Sequence, residues 1–94
     1  MREIKLRKAF KQDIKRESMG KNRLVVKNEL WDVVNILAED LPLDPSYDDH
    51  PLHHNWEGSR ECLLRPNFLL VYTYIGDDVL RLERLGTHSE IFGL

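Results

Sequence analysis

The last strand-like segment of the 94-residue chain runs into RLERLGTHSEIFGL, and three side chains within nine residues could do chemistry together. His88 can exchange protons near working pH, which is what a general acid or base needs. Arg84 carries a fixed charge and a forked set of donors suited to an anion. Phe92 offers a face on which an unstacked base can lie. Gly86 ends the strand, so Thr87 and His88 leave the sheet beside its surface, and a short tail can fold Phe92 back over it. Chain ends commonly fray. A histidine and an aromatic spent there call for an explanation.

Other candidates lie upstream. HPLHH supplies His50, His53 and His54 in a proline-containing loop. That spacing is a poor match to zinc ligation, which needs convergent donors with matched partners, so no metal and no other cofactor is expected. Arg81 and Arg84 fall on opposite faces by strict alternation, and a bulge near the strand end would re-aim Arg84. Taken singly, either arginine has a plain structural use in pairing with Glu83, Glu61 or Glu90.

The elements that must position these residues form one domain, residues 1–94. Apolar residues make up 41% and charged residues 32%, as in a folded globular chain. Every apolar run is too short to cross a bilayer, and MREIKLRK lacks the apolar core of a signal peptide, so a cytoplasmic protein without membrane contact is expected. The single cysteine, Cys62, excludes an internal disulfide and a multi-cysteine metal site. Net charge is only −2, but it is unevenly spread. Residues 1–27 hold ten Lys/Arg against three acids, net +7, and the remainder holds four against thirteen, net −9. The lysines interleave with an apolar stripe, so the basic block reads as one side of a folded segment, suited to RNA or to an acidic protein.

Residues 3–6 suit a short strand, and 7–18 an amphipathic helix closed by Gly20. A second helix is expected from Asn22, as its cap, to about Asp40, with Val26, Leu30, Val33 and Leu37 as its core stripe and Pro42 and Pro45 beyond its end. Residues 41–58 show no period and read as a long loop, often a functional feature. Strands follow at SRECLLR, FLLVYTYI and VLRLERL, with turns at Pro66-Asn67 and Gly76-Asp77-Asp78. The expected fold is α+β: a small, mainly antiparallel twisted sheet with two N-terminal helices on one face and the other face free.

Taken as a set, YDDHPL, WEGSREC, RPNF and LRLERLGTHSEIFG resemble the RelE superfamily of toxins from bacterial toxin–antitoxin pairs, most of all its YafQ branch. The resemblance is close over about residues 40–94 and extends to the layout of the helical half. It implies a ribosome-dependent mRNA endonuclease that works without a metal. It also implies an antitoxin partner, usually with a ribbon-helix-helix half and an extended half that wraps the toxin. By the same resemblance, His88 and His50 are catalytic histidines, Arg84 the last-strand arginine and Phe92 a functional aromatic. Arg60, from the W-x-G-x-R motif, and Arg81 are added substrate contacts. Two positions depart: where the family has a histidine this chain has Leu63, and where it has an aspartate this chain has Asn67. Leu63 cannot exchange protons, and Asn67 can orient a substrate but not act as a base.

The implied chemistry is attack of a ribose 2′-OH on the adjacent phosphate. On that reading His88 is the general acid, with a base role open, and His50 is the complementary base. Arg84 clamps the phosphate with Arg81 in reserve, Phe92 stacks a base and Asn67 orients the substrate. Two other readings compete: a binding protein of the same fold that has lost catalysis, and a metal hydrolase built on the histidine loop.

Overall fold

A computed structural model describes residues 1–93. Five strands form one sheet in the order β1-β5-β4-β3-β2, where β1 is Glu3–Leu6, β2 His50–Pro51, β3 Arg60–Arg65, β4 Phe68–Ile75 and β5 Val79–Gly86. β1 lies parallel to β5, and all other pairs are antiparallel. Helices α1 (Lys8–Glu17), α2 (Arg23–Asn28) and α3 (Leu30–Ala38) follow β1, and a short α4 (His88–Phe92) ends the described chain. The α+β architecture is the expected one.

Period-2 alternation sorts the sheet into two faces. Cys62, Leu64, Phe68, Leu70, Tyr72, Leu80, Leu82 and Leu85 point one way, into a core closed by Phe10, Val26, Leu30, Val33, Val34 and Leu37 from the helices. Each Leu or Phe so buried contributes roughly 1.5–3 kcal/mol before conformational entropy is subtracted. Leu69 and Val71 point the other way, against Ile91 of α4, with Leu52, Trp56, Leu63 and Phe92 around them. The second face is therefore only partly free, because α4 and the loop before β3 cover a patch of it.

The second helix is not continuous. Glu29 leaves helical dihedrals (φ −128°, ψ −39°) and splits it into α2 and α3. At that point its carboxylate accepts the Tyr47 hydroxyl at 2.8 Å and an Arg65 Nη1–H at 3.1 Å, which ties the following loop to the helix break. The expected Asn22 side-chain cap does not form. The apolar stripe survives the break, since both pieces keep their core positions.

Residues 41–58 are not the structureless loop expected. Pro45–Tyr47 and His54–Trp56 are 3-10 turns, and the two-residue β2 lies between them. Asp44 caps the first turn by accepting the Ser46 amide at 2.9 Å. Segments of two or three residues are too short to leave a periodic signal. β2 nevertheless matters most for the site, because it sets His50 directly opposite Glu61.

β5 carries a bulge. Val71 pairs with Arg84 and Tyr72 with Leu82, so Glu83 is the extra residue. Glu83 and Arg84 consequently share the second face while Leu82 and Leu85 stay in the core. β1 also covers only half of β5. Beyond Leu82, α1 supplies the missing edge partners: Asp13 accepts the Leu85 amide at 2.9 Å, and Arg16 donates to the Leu85 carbonyl at 3.0 Å. An edge left unpaired there would bury unmet backbone groups.

Candidate active site

One row of the sheet crosses the second face as His50, Glu61, Val71 and Arg84, on β2, β3, β4 and β5. α4 is held over the next row by a capping box. The Thr87 hydroxyl accepts the Glu90 amide at 3.2 Å, and the Glu90 carboxylate accepts the Thr87 amide at 2.8 Å. Gly86 lets the chain pass closely at this corner: a Cβ there would sit 2.9 Å from both Arg16 Nη2 and Glu90 Oε1. Those two groups also pair, at 3.2 Å between Arg16 Nε and Glu90 Oε2, and so bind α4 to α1.

This arrangement brings His88 and His50 to one carboxylate. Glu61, only 5% exposed, places Oε2 3.1 Å from His50 Nε2 and 3.8 Å from His88 Nε2. His50 Nδ1 lies 2.6 Å from the Asp48 carbonyl oxygen. His88 Nδ1 lies 3.0 Å from Asn67 Oδ1, and the His88 backbone amide donates to the same oxygen at 3.3 Å. Asn67 thus orients a histidine. Phe92 lies one helical turn beyond His88, with ring centroids 6.1 Å apart, and its ring stands perpendicular to that of Trp56 with centroids 5.7 Å apart. The aromatic group is a pair.

The arginines are less free. Arg84 is in the row, but its guanidinium is turned to α1, where Nε and Nη2 donate to the two oxygens of Asp13 at 2.7 and 3.2 Å. With Arg7, Lys8, Ala9, Trp56 and Glu83 it lines a groove of about 440 Å³ that runs from the start of α1 to the aromatic pair. Arg81 is on the same face and donates to Glu83 at 2.7 Å. Burial opposes ionisation of Glu83, yet hydrogen bonds from Arg81, Thr73 and Arg7 outweigh it and hold its carboxyl below the usual range. Arg60 faces the other way: it pairs across β4 with the core residue Tyr72, and its Nε donates to Asp49 at 3.2 Å. The structure does not bring Arg60 to the histidines. Leu63, at the departed histidine position, packs in the apolar patch beside Leu69.

Glu61 is the residue that sequence reasoning missed as part of the site. It lies in the WEGSREC motif, and an acid inside a strand of otherwise buried residues needs a partner, but neither signal names which residue faces it. Trp56 was missed likewise, being one aromatic within a segment without period. Among the described residues no group of three or more His, Cys, Asp and Glu side chains is placed to hold a metal ion.

A five-stranded sheet with α1–α3 on one face and a histidine-bearing C-terminal turn on the other defines a RelE-like toxin fold. The family profile described as the bacterial toxin of type II toxin-antitoxin systems, YafQ, matches residues 2–93, and the chain belongs to that family. The mRNA interferase toxin YafQ of Escherichia coli strain B / BL21-DE3 is 36% identical over 93 residues, covering 98% of this chain and 97% of the relative. The crystal structure of YafQ from E. coli strain BL21(DE3) superposes with a TM-score of 0.84 at 34% identity, covering 99% of this chain and all of that one. A chain of the E. coli DinJ-YafQ complex gives 0.82 at 35% identity, covering 99% and 100%. A metal-bound toxin from Helicobacter pylori gives 0.81 at 40% identity, covering 98% and 100%.

Proposed function

We propose that this chain is an mRNA interferase: an endoribonuclease that cuts mRNA on the ribosome, is neutralised by a cognate antitoxin and needs no metal. Two observations support the activity: the relative above bears that name over nearly its full length, and two imidazoles converge on one buried carboxylate on an accessible face. The convergence carries the reading, because 2′-OH attack needs one group to accept a proton and another to donate one. Phe92 and Trp56 offer aromatic surface to an unstacked base, the usual way single-stranded RNA is held. Arg84 lines the groove, its Nη1 is the one guanidinium nitrogen not engaged by Asp13, and it supplies positive charge for the phosphate together with Lys8 and Arg7. Ribosomal RNA would meet the exposed lysines of α1, Lys8, Lys11 and Lys15. The antitoxin role follows the DinJ-YafQ complex, and a ribbon-helix-helix partner is the family expectation.

The test is cell-free translation with the purified protein, with mRNA ends mapped by primer extension. New ends that persist in a chelator with divalent specificity for transition metals, and that vanish when ribosomes are omitted, are expected. An unchanged pattern of ends would sink the nuclease reading. One observation favours a second reading: Arg84, Arg81 and Arg60 are all ion-paired, and Leu63 is apolar. A ribosome-binding protein without catalysis would co-sediment with ribosomes and produce no ends.

A further inference from the structure

The geometry points to a division of labour between the two histidines, one that rests on the nuclease reading above: His50 is the proton donor, His88 the proton acceptor, and Glu61 the positioning residue shared by both. The hydrogen-bond partners dictate it. His50 faces acceptors on both sides, the Asp48 carbonyl at Nδ1 and the Glu61 carboxylate at Nε2. A carbonyl only accepts, so Nδ1 carries a proton, and against a Glu61 carboxylate Nε2 carries one too, which makes His50 the ring placed to donate. The Asp48 carboxylate, 3.9 Å from Nδ1, adds a second negative charge beside it.

His88 is built differently. The backbone amide of His88 donates to Asn67 Oδ1, which fixes which end of that amide is oxygen. The same oxygen faces His88 Nδ1, so Nδ1 carries the proton. In the neutral ring Nε2 is then bare. At 3.8 Å it lies outside hydrogen-bond range of Glu61, so it needs no proton to satisfy that carboxylate. Glu61 is the charged group facing His88; Glu90, two residues on, is committed to Thr87 and Arg16. An aspartate at position 67 would add charge to this ring, whereas the asparagine only selects its tautomer.

The step balances without a co-reactant. His88 Nε2 takes the 2′-OH proton as the 2′ oxygen bonds to phosphorus. The bond from phosphorus to the 5′ oxygen breaks, and His50 Nε2 delivers its proton to that oxygen. The products are a 2′,3′-cyclic phosphate and a 5′-OH. A positive charge leaves His50 and appears on His88, both against Glu61, so the net charge around the carboxylate is unchanged through the reaction. This reverses the sequence-based expectation, in which His88 was the acid.

Long-range 15N–1H spectra of the free protein near neutral pH, with histidines assigned through His53→Gln and His54→Gln, read the protons directly. His50 should show two protonated nitrogens, and His88 a single proton on Nδ1. A neutral His50, or an Nε2–H tautomer for His88, would overturn the assignment. Glu61→Gln should return His50 to a neutral ring at the same pH, and an unchanged His50 would remove Glu61 from its role. The chemical test uses ribosome-bound mRNA with sulfur in place of the bridging 5′ oxygen, a leaving group that needs no acid. His50→Ala should recover at least 100-fold on that substrate relative to the oxygen one, within the ~10²–10⁴-fold a placed acid contributes. His88→Ala should not recover, and rescue of His88→Ala instead would refute the proposal. Failure of wild type to cut either mRNA would count against the nuclease reading, while the spectra would still decide the protonation pattern.

Discussion

At the scale of residues, the candidate site is built of pairs rather than single groups. His88→Ala and His50→Ala should each slow mRNA cutting by ~10²–10⁴-fold in single-turnover reactions, with the thermal unfolding midpoint little changed, because both rings are half exposed. Loss of fold together with activity would show that the rings are structural. Cys62 gives a contrasting case. Burial, with the charges of Asp49 and Glu61 beside it, pushes its thiol up to about 12. The native protein should therefore resist thiol reagents at neutral pH and react only on unfolding, as a timed labelling experiment would read. The sequence made His88, His50, Asn67 and Phe92 legible because they fall in recognisable motifs. It left Glu61 and Trp56 without a role although both lie in WEGSREC, because their importance comes from who faces them across strands and turns. For Arg60 the face was not legible for the same reason, since only the register with Tyr72 shows which one it takes.

At the scale of elements, two short pieces decide whether the site exists. α4 has five residues and could not persist alone, so its capping box is needed. Thr87→Ala should cost about 1 kcal/mol in urea unfolding and lower cutting by loosening His88 and Phe92 together. Full activity in that variant would show that the helix is incidental. The free half of the β5 edge is the second case. Asp13 is 2% exposed and accepts from Arg84, Arg16 and the Leu85 amide. Removing it as Asp13→Ala strands the Arg84 guanidinium and the Leu85 amide, and should destabilise by ~3–5 kcal/mol. Glu83 in the bulge adds a pH dependence. Its folded-state carboxyl titrates below the ordinary value of 4.5, so its contribution is complete above that value and is lost as pH falls through the lower one. Glu83→Gln should lower stability at pH 7 by about 2 kcal/mol and flatten the acid limb. An acid limb identical to wild type would contradict the network. The helices and β3–β5 were readable from periodicity and turn residues. The break at Glu29, the turns at Pro45 and His54, and β2 were not, because each depends on contacts made by two or three residues.

At the scale of the whole molecule, the charge division has a structural counterpart. The basic block is β1, α1 and α2, and the acidic remainder includes the carboxylates that pair with its arginines, as Glu83 does with Arg7 and Glu90 with Arg16. The arginines are largely used internally, whereas Lys8, Lys11 and Lys15 stay exposed. Association with ribosomes should therefore weaken as salt rises, and Lys11→Glu with Lys15→Glu should flatten that dependence in co-sedimentation. No helix among the described residues is long and apolar enough to cross a membrane. The most direct test of the central claim is the chemistry of the cut ends from ribosome-bound mRNA. Two imidazoles acting on a 2′-OH predict a 2′,3′-cyclic phosphate and a 5′-OH from wild type, and the same ends formed ~10²–10⁴-fold more slowly by His88→Ala. A 3′-OH with a 5′-phosphate would contradict the account.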